Sequence, residues 1–132
     1  MPIVVDVVSK ADYAAWVESK QAEKVAELAN ATKEWTEANL VARGEEVYNA
    51  NCSGCHQKDG SGIPGVFPAM IGSEVTNGPA DYQIGMVLNG LRGMPAFKML
   101  SDTDIASVIT YERRSFGNNG SVVQPSDVTS AR

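Results

Sequence analysis

The chain has 132 residues, 43% of them hydrophobic but only 7% aromatic. That is enough for one small domain with extensions and a modest core, the kind of scaffold that needs a staple such as a disulfide, a metal or a large bound group. A net charge of −5 with no run of Lys and Arg argues against a nucleic-acid partner. No apolar run approaches the roughly 18 residues of a membrane-spanning helix. The acidic excess sits mainly in residues 1–39, which carry four basic and seven acidic side chains. Solubility accounts for that excess more simply than a basic partner does.

The β-branched stretch Pro2–Val8 predicts a short strand. It lacks a basic leader, so it does not read as a signal peptide. Ser9 and Asp12 form a capping-box pattern ahead of an Ala-, Glu- and Lys-rich segment. Its apolar residues Tyr13, Trp16, Val17 and Leu28 are sparse, which predicts one or two amphipathic helices serving as a semi-rigid linker. Asn39 is the expected N-cap of the next helix, which runs into the cysteine pair. Residues 57–79, dense in Gly, Pro, Ser and Asn, predict loops. A short helix follows over 80–89 and ends at Gly90. Residues 91–100 predict another loop. Ser101 or Asp102 caps a last helix that Gly117 stops, and the polar residues 118–132 predict a disordered tail.

The segment "NCSGCHQKDG" holds both cysteines, Cys52 and Cys55, and the only histidine, His56. A structural zinc site needs about four Cys or His ligands, and three from one pentapeptide cannot close a tetrahedral cage. A thioredoxin-like redox pair expects a βαβ context, whereas helices and glycine loops surround this one. A plain disulfide leaves His56 unexplained. C-x-x-C-H is also the signature of covalent haem attachment. Two Cys at i and i+3 point to one side of a helical turn and can add to the two vinyl groups of a porphyrin. The His after them then projects over the disc and binds iron. The disc would also supply the missing core.

With no second His, Met is the natural sixth ligand, and a His/Met pair raises the reduction potential. Met1 lies far upstream. Met70, Met86 and Met99 read as packing residues. Met94, between Gly93 and Pro95 in a loop, is the expected ligand, since Gly admits close backbone approach and Pro stiffens the loop.

These motifs resemble the class I cytochrome c family. "ARGEEVYNANCSGCH" is similar to its N-terminal helix and attachment site, with Gly44 and Tyr48 where that helix packs on the C-terminal one, near Val108 and Tyr111. "FPAMIGS" resembles the following segment, which implies that the Pro68 carbonyl accepts the His56 ring N–H. "GMPAF" resembles the Met-ligand loop. More narrowly, "MPIVVDVVSKADYAAW", "VLNGLRGMPAF" and "VITYERRSFGN" resemble subunit II of caa3-type cytochrome c oxidases, where a cytochrome c domain follows the copper-A domain.

The resemblance implies an all-α class I cytochrome c fold of three to four helices around a covalent haem. Residues 1–39 would be a strand remnant of the copper-A domain and a helical linker, 40–117 the cytochrome c domain, and 118–132 the tail. It implies one haem c held by Cys52, Cys55, His56, Pro68 and Met94, with iron on His56 and Met94. Of the copper-A ligands the chain keeps at most Met1, so no copper is expected in this chain alone. The missing export and membrane segments imply a fragment of a longer chain. The expected role is one-electron transfer, with a soluble cytochrome c or similar donor on one side and copper-A and other oxidase subunits on the other. The expected location is periplasmic, at the outer face of the bacterial inner membrane, without direct membrane insertion by this segment. A free soluble periplasmic cytochrome c is the alternative. A haem enzyme or gas sensor with an open iron site is a further one, against which the absence of a distal His argues. Arg92 is a candidate partner for a haem propionate.

Overall fold

The computed structural model describes Ile3 and residues 5–132. Among these residues seven helices follow in order: α1 Lys10–Thr32, α2 Glu37–Asn51, α3 Ser53–His56, α4 Glu74–Asn77, α5 Ala80–Asn89, α6 Asp102–Arg114 and α7 Pro125–Ala131. Among the described residues there are no strands, only isolated bridges at Ile63–Phe67 and Leu91–Met94. The all-α class I cytochrome c expectation holds. Among the described residues no helix is long and apolar enough to cross a membrane.

The strand expected over Pro2–Val8 is not formed at Ile3 or Val5–Val8, which are exposed and carry no regular secondary structure. A strand needs a neighbour for its backbone groups, and none of the described residues forms a strand beside it. Met1, Pro2 and Val4 lie outside the described residues, and with them the notion of Met1 as a former copper ligand. α1 begins where expected, the Ser9 hydroxyl accepting from the Asp12 amide at 3.1 Å. It is one unbroken helix that buries no residue.

α2 and α6 form the centre of the fold. Thr36, not Asn39, caps α2: its side chain accepts from the Asn39 amide, which puts Asn39 inside the first turn. Either residue type can cap; the backbone turns extended at Thr36 because the preceding loop is anchored. Gln124 bonds both backbone groups of Trp35, at 3.0 Å each. Along α2, Leu40, Gly44 and Tyr48 recur at the helical repeat and are buried against α6. Gly44 is needed there, because a Cβ would stand 2.1 Å from the Ser107 carbonyl oxygen and 2.6 Å from Tyr111 Cβ. The face of α6 carrying Ile105, Val108 and Ile109 meets it, and Tyr48, Tyr111 and Phe116 cluster with ring centroids 5.4 Å apart. Arg114 pairs with Glu37, tying the C-terminal end of α6 to the start of α2.

Residues 118–132 depart from the disordered tail expected of them. Val123 and Val128 are fully buried, and α7 packs on α6. Thr110 exchanges both of its hydroxyl hydrogen bonds with the backbone of Val123, and Gln124 and Asp127 form a reciprocal capping box. Two apolar residues in a polar stretch give little periodic signal, but both land on one groove.

Candidate haem site

One end of the α2–α6 pair opens into a cavity of about 650 Å³, the size of a cofactor site. Cys52, Cys55 and His56 form one wall. α2 ends at Cys52, and the Cys55 and His56 amides both donate back to the Cys52 carbonyl, at 3.1 and 3.0 Å. This single turn is what the i, i+3 spacing demands. Both thiols are free, Cys55 exposed and Cys52 half-buried. Burial pushes the Cys52 thiol up to about 12.

The His56 side chain is buried, and its Nδ1 lies 2.9 Å from the Pro68 carbonyl oxygen. A carbonyl only accepts, so Nδ1 carries the proton and Nε2 keeps a free lone pair. Nε2 has no hydrogen-bond partner among the described residues. Pro68 is held in turn by the loop before it. Gly62, with φ 64°, packs against the Phe67 and Pro68 carbonyls so closely that a Cβ would lie 2.5 and 2.6 Å from their oxygens. The Gly62 amide also donates to the His56 carbonyl at 3.0 Å.

Met94 lines the same cavity. Its loop is clamped by paired bonds between Leu91 and Met94 and by the Phe97 amide donating to the Val87 carbonyl. Gly90, with φ 76°, makes the sharp exit from α5 that this clamp requires. Arg92, also at positive φ, stands on this loop, exposed at the rim. Met70 is buried in the core as expected, and also faces the cavity. Met86 lines the cavity from α5. Met99 does not pack in the core: it is 75% exposed, because the loop before α6 turns it outward while Phe97 and Leu100 take the inner positions.

The cavity therefore brings together Cys52, Cys55, His56, Pro68 and Met94, over 40 residues of sequence, on a largely apolar surface. Two thiols on one turn, an imidazole with a free Nε2 and a thioether fit a covalent haem better than a bare metal ion or a dithiol redox centre.

Sequence reasoning did not single out Gln83, Glu112 or Asn118. Gln83 and Glu112 line the cavity, and Gln83 Nε2 donates to Glu112 at 2.8 Å. Glu112 follows Val108 by four and Ile109 by three, which places it on the buried stripe of α6; that spacing was the available signal. Asn118 donates to the Met70 and Glu112 carbonyls and accepts from the Gly72 amide and Asn77, fastening the cavity's floor to the end of α6.

The fold and this attachment turn define a cytochrome c domain, an electron carrier rather than an enzyme in itself. A family model described as "Cytochrome C oxidase, cbb3-type, subunit III" matches residues 39–111, more than half of the chain, and the chain belongs to that family of cytochrome c domains. Cytochrome c-552 of Thermus thermophilus is 36% identical over 93 residues, covering 58% of this chain and 70% of that protein. Cytochrome c6 of Leptolyngbya boryana is 40% identical over 74 residues, covering 54% and 87%. The cytochrome c subunit of a quinone alcohol dehydrogenase from Gluconobacter oxydans is 34% identical over 103 residues, 67% of this chain but only 22% of that subunit. The chain thus spans about a fifth of the dehydrogenase subunit and most of the small cytochromes.

Proposed function

We propose that Cys52 and Cys55 hold one haem c as thioethers, with His56 and Met94 as its axial ligands. The haem, when bound, supplies a one-electron centre of high potential. The protein's part is to keep that centre rigid. The Pro68 carbonyl fixes the His56 ring and raises its basicity. The Gly90 turn and the Leu91–Met94 clamp hold the thioether, and the apolar walls exclude water. Arg92 at the rim is available to a propionate. The single observation behind this reading is the convergence of the C-x-x-C-H turn, with Nε2 free, and Met94 on one cavity.

The domain division follows the same reading: residues 1–39 as linker, 40–117 as the haem domain. Its role would be the donor-accepting domain of a cytochrome c oxidase subunit II, receiving an electron from a soluble cytochrome c and passing it to copper-A. The order of the segments supports this, a "MPIVVDVV" stretch and a 23-residue helix that buries nothing preceding the haem domain. The location would be the periplasmic face of the inner membrane, where thioether attachment takes place. The relatives named above favour a second reading, a cytochrome domain of a dehydrogenase complex or a free carrier.

Expression with export and haem-maturation machinery should add one haem mass that survives denaturation. Haem that extracts into acidified organic solvent refutes the attachment. A native gene encoding a copper-A domain ahead of Met1 separates the oxidase role from the second reading, and a dehydrogenase partner gene beside it overturns that role.

A further inference from the structure

The wall of the cavity is apolar apart from a few groups, and one of these is a carboxyl. Glu112 is 3% exposed, and its only side-chain hydrogen bond among the described residues is the one it accepts from Gln83. Gln83 in turn accepts from Arg113 at 3.1 Å. Arg113 is buried as well, but its guanidinium turns away from Glu112 to the carbonyls of Val75, Gly78 and Ser121 and the Ser121 hydroxyl. A neutral amide therefore separates the two charges, and no salt bridge joins them.

The other elements around Glu112 bring no closer cation. α2 and the attachment turn present the Tyr48 phenol, which donates to the Gln57 carbonyl, and Cys52, Cys55 and His56. α5 presents Gln83, α4 presents Thr76 and backbone, and the loop after α6 presents Asn118. Tyr111 and Arg113 flank it on α6, and Arg92 stands across the cavity at the rim. A carboxyl in such a place is the group best coupled to any charge that enters the cavity, because the intervening medium screens little.

We propose that Glu112 is a proton-binding site coupled to electron transfer, taking up a proton as the centre in this cavity is reduced and releasing it on oxidation. The inference rests on the haem c reading above. In balance, one electron arrives from a one-electron donor and one proton from solvent adds to the Glu112 carboxylate, so the charge of the cavity is unchanged; oxidation returns both. The coupling is reciprocal. Added negative charge raises the carboxylate's proton affinity, and protonation raises the reduction potential. Burial already pushes the Glu112 carboxyl up to about 8, so that its titration falls in the physiological range. The single Gln83 N–H, which favours the ionised form, is the positioning contact that keeps it from rising further.

The test is a spectroscopic redox titration of the haem-loaded full chain from mildly acid to alkaline pH. The midpoint should fall as pH rises, approaching about 59 mV per tenfold change in proton activity within the coupled window. Glu112→Gln should flatten that slope while leaving the haem absorption bands unchanged. Redox-difference infrared spectra should show a protonated-carboxyl stretch gained on reduction and missing in Glu112→Gln. Should Glu112→Gln fail to load haem, Gln83→Leu decides: it should move the coupled window to higher pH. A pH-independent midpoint in the parent, an unaltered slope in Glu112→Gln or an unmoved window in Gln83→Leu overturns the proton site and leaves the haem reading intact. A parent without covalent haem overturns both.

Discussion

Gly44→Ala is a sharp test of the α2–α6 packing. In an exposed helix interior this change is stabilising by about 1 kcal/mol, because Ala gives up less backbone freedom than Gly. Here the new Cβ would fall 2.1 Å from the Ser107 carbonyl oxygen and 2.6 Å from Tyr111 Cβ, where side-chain carbons do not come within 3.0 Å of such atoms. Both obstacles are rigid, one a helix backbone and the other the root of a half-buried ring packed against the core. The helices must separate by nearly 1 Å along a contact that holds Leu40, Tyr48, Ile105 and Val108, all at most 2% exposed. Overpacking of this kind costs typically 1–3 kcal/mol, and more where backbone is the obstacle. After the propensity gain, a net loss of about 2 kcal/mol is expected. Gly85→Ala is the matched control, since it lies in α5 with nothing within 4 Å of its Cβ. Denaturant unfolding of the haem-loaded proteins, followed by far-UV circular dichroism, measures both. Gly44→Ala should lower the midpoint at constant m-value, and Gly85→Ala should hold or raise it. Equal or higher stability in Gly44→Ala would refute the close contact.

Met94→Ala should abolish the sulfur–iron charge-transfer absorption of the oxidised protein, lower its potential and admit carbon monoxide to the reduced iron. Met99→Ala, at an exposed position, should do none of these; exchanged behaviours would show the ligand to be Met99. Gly62→Ala, which places a Cβ against the Pro68 carbonyl at a positive φ, should displace the acceptor of the His56 ring, make the ring a weaker donor and raise the potential, read by voltammetry with the His ring N–H resonance as a direct check. Glu112 also makes stability depend on pH. Its folded-state pKa of about 8 lies above the ordinary 4.5, so the folded protein binds the extra proton. That contribution is complete below about pH 4.5 and lost as pH rises through 8, at most about 5 kcal/mol. Glu112→Gln should therefore gain on the parent above pH 8, in thermal unfolding of the oxidised protein; an identical pH dependence would contradict the burial argument.

The C-x-x-C-H turn is local, and so the sequence alone determined its geometry. Cys52, Cys55 and His56 lie within five positions, and their side chains are placed by one helical turn whatever the rest of the chain does. Helix identity was legible for the same reason, from repeats such as Leu40, Gly44 and Tyr48 and from the hydroxyl caps at Ser9 and Ser101. Tertiary structure decided what depends on meetings between distant segments. Thr36 rather than Asn39 caps α2 because Gln124, far along the chain, anchors the loop before it. Val123 and Val128 order a polar tail because α6 and its neighbours offer them a groove, which no local pattern announces. Met94 is inside through the turn at Gly90 and Met99 outside because Phe97 and Leu100 take the inner positions beside it, although both methionines sit in the same short run of sequence. Glu112, in a run of charged residues, is buried because its place on the apolar stripe of α6 outweighs its own polarity, and only the facing wall of the cavity reveals the carboxyl turned toward it.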